Sequence, residues 1–213
     1  MKTDLLDIRH ADCMDLMASY PDDHFSLAIV DPPYGIERFQ KPAGTTRFGS
    51  SKMMQQKGLS WDKKPPQAYW DELFRVSKNQ IVWGANNFTM PPSEYFCIWN
   101  KKQTVDNFAT AEYAWVSMGL KKPAKIFNYS IHQHNADKGK IHPTQKPVKL
   151  YDWILRNYAK PGDTILDTHA GSMSIAIACH YAGHHLTACE LDADYYAAGC
   201  ERVMRETQQT TLF

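Results

Sequence analysis

The segment Asp31-Pro32-Pro33-Tyr34 holds the residue types best suited to chemistry on an amino group. The prolines lack a backbone donor and stiffen the chain, so the segment offers acceptors, namely the Asp31 carboxylate and the Pro32 carbonyl. Two neighbouring acceptors suit an NH₂ group, and their hydrogen bonds would draw its lone pair toward a tetrahedral geometry. Tyr34 could stack on a base taken out of a duplex. The alternative interpretation is a strand-ending turn with a capping aspartate.

A second group of residues is typical of a nucleoside site. Asp167 opens a turn of small residues that runs through Gly171 to Ser172, and Glu190 follows later in the chain. In doubly wound sheets, such a turn and an acid after the next strand hold a nucleoside over the carboxyl ends of the strands. Glu190 is placed to accept from ribose hydroxyls, and Gly171 allows close approach of the backbone. The spacing does not fit the dinucleotide fingerprint, and a plain strand–helix–strand unit is the alternative.

Hydrophobic patterning predicts alternating strands and helices around these motifs. Strands are predicted at 26–30, 80–83, 95–99, 112–117, 124–129, 164–166 and 186–189. Helices are predicted at 67–77, from 147 to 158, at 172–182 and after Asp192, with loops at 35–64 and 130–145. This order implies right-handed crossovers, and therefore an α/β fold with a mainly parallel, doubly wound sheet.

The length of 213 residues suits one domain spanning residues 1–213. No stretch is apolar for the roughly 20 residues of a membrane span, and the first residues lack the apolar region of a signal peptide. The five cysteines share no C-x-x-C spacing, which favours reduced thiols in a cytoplasm. No acid or cysteine completes a metal site around His132, His134 and His142, so we expect loop histidines and no metal.

The net charge of +1 conceals two basic segments. Residues 35–64 hold seven basic and two acidic side chains, and residues 121–150 hold seven basic and one acidic. Clusters of this kind suit a polyanion such as nucleic acid, although two solvated loops are an equal alternative on charge alone. We interpret 35–64 and 121–145 as DNA-recognition inserts and 207–213 as a flexible tail.

Five short elements in one order resemble a known family. They are His10-Ala11-Asp12-Cys13 ahead of the first predicted strand, Asp31 to Tyr34, the H-P-T-Q-K-P segment His142 to Pro147, the turn Asp167 to Ser174, and Cys189 to Asp192 with Tyr195-Tyr196. Together they resemble the amino-DNA methyltransferases of the beta group, in which the catalytic motif precedes the cofactor motif. Each element is short, but their joint order is specific.

The resemblance implies a Rossmann-like, S-adenosylmethionine-dependent methyltransferase that methylates N6 of adenine in double-stranded DNA. Asp31, Pro32, Pro33 and Tyr34 would hold the flipped base. Asp12 would approach the adenine of the cofactor and Glu190 its ribose, whereas Thr144 and Lys146 with Gly171 and Ser172 would approach the methionine end. The full implied cofactor set is Asp12, Cys13, Asp31, Thr144, Lys146, Asp167, His169, Gly171, Ser172, Glu190 and Leu191.

Departures from the family pattern leave other functions open. The family turn is usually D-P-F-x-G-S-G-T, but here Thr168 and His169 replace Pro-Phe and Met173 replaces the last glycine. Bulk at Met173 would lie near the helix start that faces the ligand, which raises the alternative of a catalytically weak DNA-binding relative. Family members with Asp before P-P-Y are typically adenine-specific, whereas cytosine-N4 enzymes more often carry Ser. Cytosine N4 is therefore the nearest alternative, and an RNA or protein amide is a remoter one.

The partners that we expect are DNA, a second copy of the chain and a clamp protein. Arg38, Arg47, Lys52 and Lys57 are the predicted DNA contacts, with short or relaxed sequence specificity. The resemblance also implies a possible homodimer, and either a solitary, phage-type enzyme or a restriction partner. The end Gln209 to Phe213 resembles peptides that dock on bacterial sliding clamps, and a frayed terminus is the alternative.

Overall fold

The computed structural model describes residues 1–35, 63–106, 109–136, 140–142 and 144–208. The strands are β1 Leu6–His10, β2 Leu27–Val30, β3 Gln80–Trp83, β4 Phe96–Asn100, β5 Ala111–Val116, β6 Lys125–Asn128, β7 Thr164–Asp167 and β8 His185–Glu190. The α-helices in the described part are α1 Cys13–Ala18, α2 Gln67–Val76, α3 Ile131–Ala136, α4 Val148–Tyr158, α5 Ser174–Ala182 and α6 Ala193–Thr207. None of these helices is long and apolar enough to cross a membrane.

The strands form one sheet in the order β1-β8-β7-β2-β3-β5-β4-β6. Only β5 runs antiparallel to its neighbours among these strands; every other pairing is parallel. The expected mainly parallel, doubly wound α/β fold is therefore confirmed. Because seven strands point the same way, the residues that follow them meet at one edge of the sheet, hereafter the carboxyl edge.

The two central strands β2 and β3 are buried on both faces, which explains their nearly continuous apolar sequences. On one face, α2 buries Tyr69, Trp70 and Leu73 against the sheet. On the other face, α4 to α6 pack over the strands. Apolar spacing of three and four residues places one stripe of α4 and of α6 inward, whereas α5 is buried over six consecutive residues. Both layers hold the carboxyl edge in a fixed shape.

The structure corrects two sequence expectations. The segment His10 to Cys13 was expected ahead of the first strand, but it begins at the last residue of β1, where His10 is in register with Glu190 of β8. The second polar loop at 130–145 contains α3, and His134 on that helix is buried. The His134 Nε2–H donates to the Gln145 carbonyl at 2.7 Å, so this residue is not a loop histidine.

The basic segment at 121–145 does not form one patch. Lys121, Lys122 and Lys125 lie at the amino end of β6, opposite to the carboxyl edge, because β6 runs parallel to β4. Lys146, one residue beyond the segment, is almost fully buried at the carboxyl edge. The positive charge that is concentrated in the sequence is therefore divided between the two edges at which the strands begin and end.

Met173 does not crowd the ligand-facing side of the turn. Its backbone is left-handed, with φ of 57°, and its side chain is fully buried in the core. The left-handed conformation is one that glycine adopts most readily, which explains a family glycine at this position. The Met173 side chain fills the space beside Gly199 of α6, where a Cβ would overlap it.

Replacing Gly199 by alanine tests this packing. A Cβ there would lie 2.7 Å from Met173 Sδ and 2.8 Å from its Cγ. Because the methionine is enclosed, we expect the overlap to outweigh the roughly 1 kcal/mol gained in helix propensity, so that Gly199→Ala lowers the free energy of unfolding by about 1 kcal/mol in urea denaturation. In a Met173→Ala background the same change should cost much less, because room is available. Equal costs in the two backgrounds would show that the residues do not interact.

Candidate active site

Four acidic residues follow four neighbouring parallel strands at the carboxyl edge. Asp12 follows β1, Glu190 ends β8, Asp167 ends β7 and Asp31 follows β2. The chain leaves β7 toward β8 on one side, and it leaves β2 toward β3 on the other. The gap between β7 and β2 is thus the point where the strand order reverses, which is where ligands bind in open α/β sheets.

Tyr34 folds back onto the carboxylate that opens its own tetrapeptide. Its hydroxyl donates to Asp31 Oδ1 at 2.5 Å. Burial and the nearby Asp31 and Glu112 carboxylates raise the pKa of Tyr34, so the hydroxyl remains a donor. The ring packs on Gly84, which follows β3 with a φ of 64°, and a Cβ at Gly84 would overlap the ring. Position 84 therefore requires glycine, because the backbone there is left-handed and because a side chain would overlap the Tyr34 ring.

A buried lysine lies between two carboxylates at the same place. Lys146 Nζ pairs with Asp31 Oδ2 and lies 3.3 Å from Glu112 Oε2, while Lys101 Nζ pairs with Glu112 Oε1 at 2.5 Å. The Lys146 side chain is only 3% exposed. Burial opposes its charge, but Asp31 and Glu112 outweigh burial and raise the pKa of Lys146. The ammonium is therefore retained at neutral pH.

Glu112 is held charged by the same network. Burial alone would raise the pKa of Glu112, but Lys146 and Lys101 outweigh burial and lower it. Glu112 Oε2 is buried and has no well-aligned hydrogen bond among the described residues, although Lys146 lies at ion-pair distance. The four side chains alternate in sign from Asp31 through Lys146 and Glu112 to Lys101, so each charge has an opposite neighbour.

The turn from Asp167 to Ser174 is fastened to Glu190. The Gly171 N–H donates to Glu190 Oε2 at 2.8 Å, and the Asp192 N–H donates to Oε1 at 2.9 Å. Burial raises the pKa of Glu190, and these backbone donors counteract part of the rise. Gly171 has a φ of 49°, and a Cβ there would lie 3.7 Å from the His142 ring. The H-P-T-Q-K-P segment therefore closes over the turn.

A buried arginine joins the turn to the lysine. Arg202 on α6 donates to the Ser172 carbonyl at 2.7 Å and to Ser174 Oγ at 2.9 Å. Ser174 Oγ in turn donates to the Lys146 carbonyl at 2.7 Å. Thr144 lies in the H-P-T-Q-K-P segment, as Lys146 does, and its hydroxyl is 3.1 Å from His142 Nδ1. The last helix thus fixes both the turn from Asp167 to Ser174 and the backbone of Lys146.

His169 and Thr168, which replace the family Pro-Phe, form a polar contact inside the turn. His169 Nδ1 lies 2.9 Å from Thr168 Oγ1, which lies 2.7 Å from the Tyr69 hydroxyl. Burial lowers the pKa of His169 to about 4, so its imidazole is neutral at pH 7. The substitution therefore adds hydrogen bonds to the turn without adding a charge.

The outer end of the carboxyl edge is more open. Asp12 is exposed and caps α1 by accepting from the Met14 N–H at 2.7 Å. Burial and the Asp12 carboxylate raise the pKa of Cys13 to about 11, so its thiol stays neutral. Leu191 is 66% exposed beside them, which leaves an apolar side chain at this end of the edge.

The structure thus brings most of the predicted site residues to one edge, but several predictions lie outside the described residues. These are Arg38, Arg47, Lys52 and Lys57 and the tail Gln209 to Phe213. Sequence reasoning missed Glu112, Lys101 and Arg202. Glu112 had one available signal, since it is a lone charged residue in the otherwise apolar strand β5. No cluster able to hold a metal occurs among the residues that the structure describes.

Sheet order and the edge of carboxylates define a Rossmann-like methyltransferase fold. The sequence model of the DNA methylase family N6_N4_Mtase matches residues 51–201, so the chain belongs to this family of amino-DNA methyltransferases. It is 25% identical over 225 residues to the protein named "Putative methylase YubD" of Escherichia coli (strain K12). The aligned region covers 93% of this chain and 91% of that protein.

Solved structures support the fold. The PvuII DNA methyltransferase (cytosine-N4-specific) has a TM-score of 0.61 at 14% identity, covering 98% of this chain and 93% of that one. The M1.HpyAVI–SAM complex has a TM-score of 0.58 at 18% identity, covering 93% of this chain and all of that one. A putative DNA modification methylase of Thermus thermophilus, complexed with S-adenosyl-L-methionine, also has a TM-score of 0.58, at 16% identity, covering 97% of this chain and 96% of that one.

Asp167 gives the site a testable pH dependence. Burial raises its pKa to about 7, only partly offset by the His169 N–H that donates to it. The folded protein therefore keeps a proton that the unfolded chain has lost, and this contribution to stability declines as pH rises from about 4 to 7. We expect Asp167→Asn to be more stabilising at pH 8 than at pH 5, measured by urea unfolding.

Comparing variant with wild type at each pH removes other titrations from this test. His142 and His169 have pKa values lowered to about 4, mainly by burial, so their contribution is lost as pH falls toward 4 and opposes that of Asp167. An Asp167→Asn effect that is the same at pH 5 and pH 8 would contradict the raised pKa of Asp167.

Proposed function

We propose that this DNA methylase transfers a methyl group from S-adenosylmethionine to N6 of adenine in DNA. The observation that carries the proposal is the position of Asp31, directly across the strand-order reversal from the turn that begins at Asp167. An amino group bound at Asp31 and a methyl donor bound along Gly171 and Glu190 would meet in the gap between β7 and β2. Holding two reactants in line can remove about 7–11 kcal/mol from the barrier to such a transfer.

The residues at the edge fit S-adenosylmethionine. Gly171 lacks a side chain where the backbone would approach the ligand, and Glu190 is oriented by two backbone donors while keeping further lone pairs for ribose hydroxyls. Exposed Leu191 offers an apolar surface for a purine, next to Asp12. The proposed cofactor site also includes Thr144, Ser172, His169 and Cys13. When bound, the cofactor supplies an electrophilic methyl group on a sulfonium.

The chain's own residues would prepare the amine. Asp31 and the Pro32 carbonyl accept its two N–H bonds, while Pro33 stiffens the turn and Tyr34 stacks on the base. For this the base must leave the duplex, because its amino group is paired and stacked there. Excluding water at the buried Lys146–Asp31 pair strengthens these polar contacts.

Adenine is proposed over cytosine because Asp31 stands before Pro-Pro-Tyr, as in adenine-specific relatives. Cytosine N4 remains the second candidate, favoured by the likeness to the PvuII enzyme. The weak DNA-binding relative loses its main support, since Met173 packs into the core. Substrate DNA would be held largely by phosphate contacts; the homodimer, a restriction partner and clamp docking stay predictions.

Product analysis tests the reaction. Purified protein is incubated with unmethylated DNA and S-adenosylmethionine, and the nucleosides are identified by mass spectrometry. We expect N6-methyladenine, reduced by about 100-fold or more in Asp31→Ala, because the variant lacks the acceptor. Asp31→Asn keeps the size of the side chain and separates lost chemistry from lost folding. Asp152→Ala, on an exposed carboxylate of α4, is the matched control.

Either alternative product would change the proposal in a defined way. N4-methylcytosine would keep the mechanism and overturn the choice of base. No methylated nucleoside on any DNA, from protein whose unfolding transition is normal, would overturn the proposed function.

Cofactor binding is tested at Glu190. We expect Glu190→Gln to raise the dissociation constant for S-adenosylmethionine about tenfold or more in calorimetry, because the amide replaces a charged acceptor for the ribose and for the turn. The control is Glu201→Gln, which changes an exposed glutamate on α6. Equal affinity in both variants would place the cofactor elsewhere.

A further inference from the structure

One hydroxyl group at the carboxyl edge contacts two charged side chains at once. The Tyr34 hydroxyl donates to Asp31 Oδ1 at 2.5 Å and accepts from Lys146 Nζ at 3.4 Å. The same ammonium and carboxylate are also paired with each other through Asp31 Oδ2. The Asp31 carboxylate, which is an acceptor, and the Lys146 ammonium, which is a donor, therefore lie side by side. The Tyr34 hydroxyl contacts both and acts as a donor to one and an acceptor from the other.

Two of the four DNA bases carry this pattern on their Watson–Crick edge. In adenine the amino group at C6 adjoins the ring acceptor N1, and in cytosine the amino group at C4 adjoins the ring acceptor N3. Guanine has a ring N–H beside its amino group, and thymine has no amino group. Enzymes that flip bases read this edge by hydrogen bonds.

We propose that Asp31 and Lys146 together read the amino group and the neighbouring ring nitrogen of the flipped base, and that the Tyr34 hydroxyl holds this pair while no base is bound. Asp31 accepts the amino N–H and Lys146 donates to the ring nitrogen. Tyr34 leaves the pair when its ring stacks on the incoming base. This inference rests on the proposed function and assigns Lys146 to the base rather than to the methionine end of the cofactor.

The ammonium has donors to spare for this task. It has three N–H donors, and within the described part of the chain its only short hydrogen bond is the one to Asp31. Tyr34 at 3.4 Å is a weak partner, and Glu112 at 3.3 Å is poorly aligned. A ring nitrogen would therefore replace a weak contact and leave the strong one in place. Glu112 and Lys101 keep the ammonium charged and fixed while the exchange occurs.

Donation to the ring nitrogen also directs the chemistry. The ring nitrogen of adenine or cytosine is a better nucleophile than the amino nitrogen, whose lone pair is delocalised into the ring. A hydrogen bond from Lys146 occupies the lone pair of the ring nitrogen. The amino nitrogen, activated by Asp31 and Pro32, is then the atom left to form a bond to the methyl carbon, while the bond from that carbon to the sulfonium sulfur breaks and leaves a thioether. The surplus proton leaves the nitrogen along its hydrogen bond to Asp31 and passes to solvent.

Modified target bases test the inference in the unaltered protein. Duplexes carry adenine, 1-deazaadenine, which has C–H in place of the ring acceptor, or 7-deazaadenine, which keeps that acceptor and changes another nitrogen. Single-turnover methylation should be slower by about tenfold or more for 1-deazaadenine, as expected for a lost bond to a charged donor, and within about threefold for 7-deazaadenine. Loss of N1 does not make the amine less nucleophilic, so intrinsic reactivity works against this result.

The lysine is assigned by Lys146→Met, which should lower both rates and abolish the preference for adenine over 1-deazaadenine. If that variant fails to fold, Glu112→Gln should reduce the ratio of the rates for adenine and 1-deazaadenine, because the Lys146 ammonium is then less firmly held. Should the wild-type protein methylate 1-deazaadenine as fast as adenine, the inference is overturned and the proposed function stands. If the product is methylcytosine, 3-deazacytosine replaces 1-deazaadenine with the same expected outcomes. Absence of any methylated base on natural DNA overturns both.

Discussion

A buried ammonium between two carboxylates is the interaction on which the rest of the site depends. Lys146 has almost no contact with solvent, so its charge is tolerable only while Asp31 and Glu112 face it. Removing one partner of a buried pair commonly costs several kcal/mol, because the remaining charge is left uncompensated. This explains why the backbone of Lys146 is fixed by Ser174 and Arg202, and why Lys101 stands behind Glu112.

Parallel strands bring these residues together from distant parts of the chain. Asp12, Asp31, Asp167 and Glu190 are far apart in sequence, but each follows a strand that points to the same edge. The antiparallel strand β5 contributes differently, since its beginning lies at that edge, and it delivers Glu112 from its second residue. Asp12, Asp167 and Glu190 lie on one side of the order reversal, and Asp31 and Glu112 lie on the other.

Local patterns were sufficient to predict much of the fold. The helices α2, α4 and α6 and the buried strands β2 and β3 are predictable from apolar spacing or from continuous apolar runs. β1 was missed because Leu6–His10 alternates apolar with charged residues over only five positions. α3 was missed because its sequence is polar. The short motifs predicted the family and the carboxyl edge. The contact of Glu112 with Lys146 joins a strand to a segment outside the sheet, and no local signal encodes such a long-range contact.

Met173 and Gly199 illustrate how a departure from a family pattern is accommodated. The side chain that the turn gained at position 173 occupies the space that a side chain at 199 would need. The two positions are therefore epistatic: a larger residue on α6 is compatible with a glycine in the turn, and a methionine in the turn requires a glycine on α6. Related sequences should exchange these two residues jointly, so the pairing offers an evolutionary marker of the lineage to which this chain belongs.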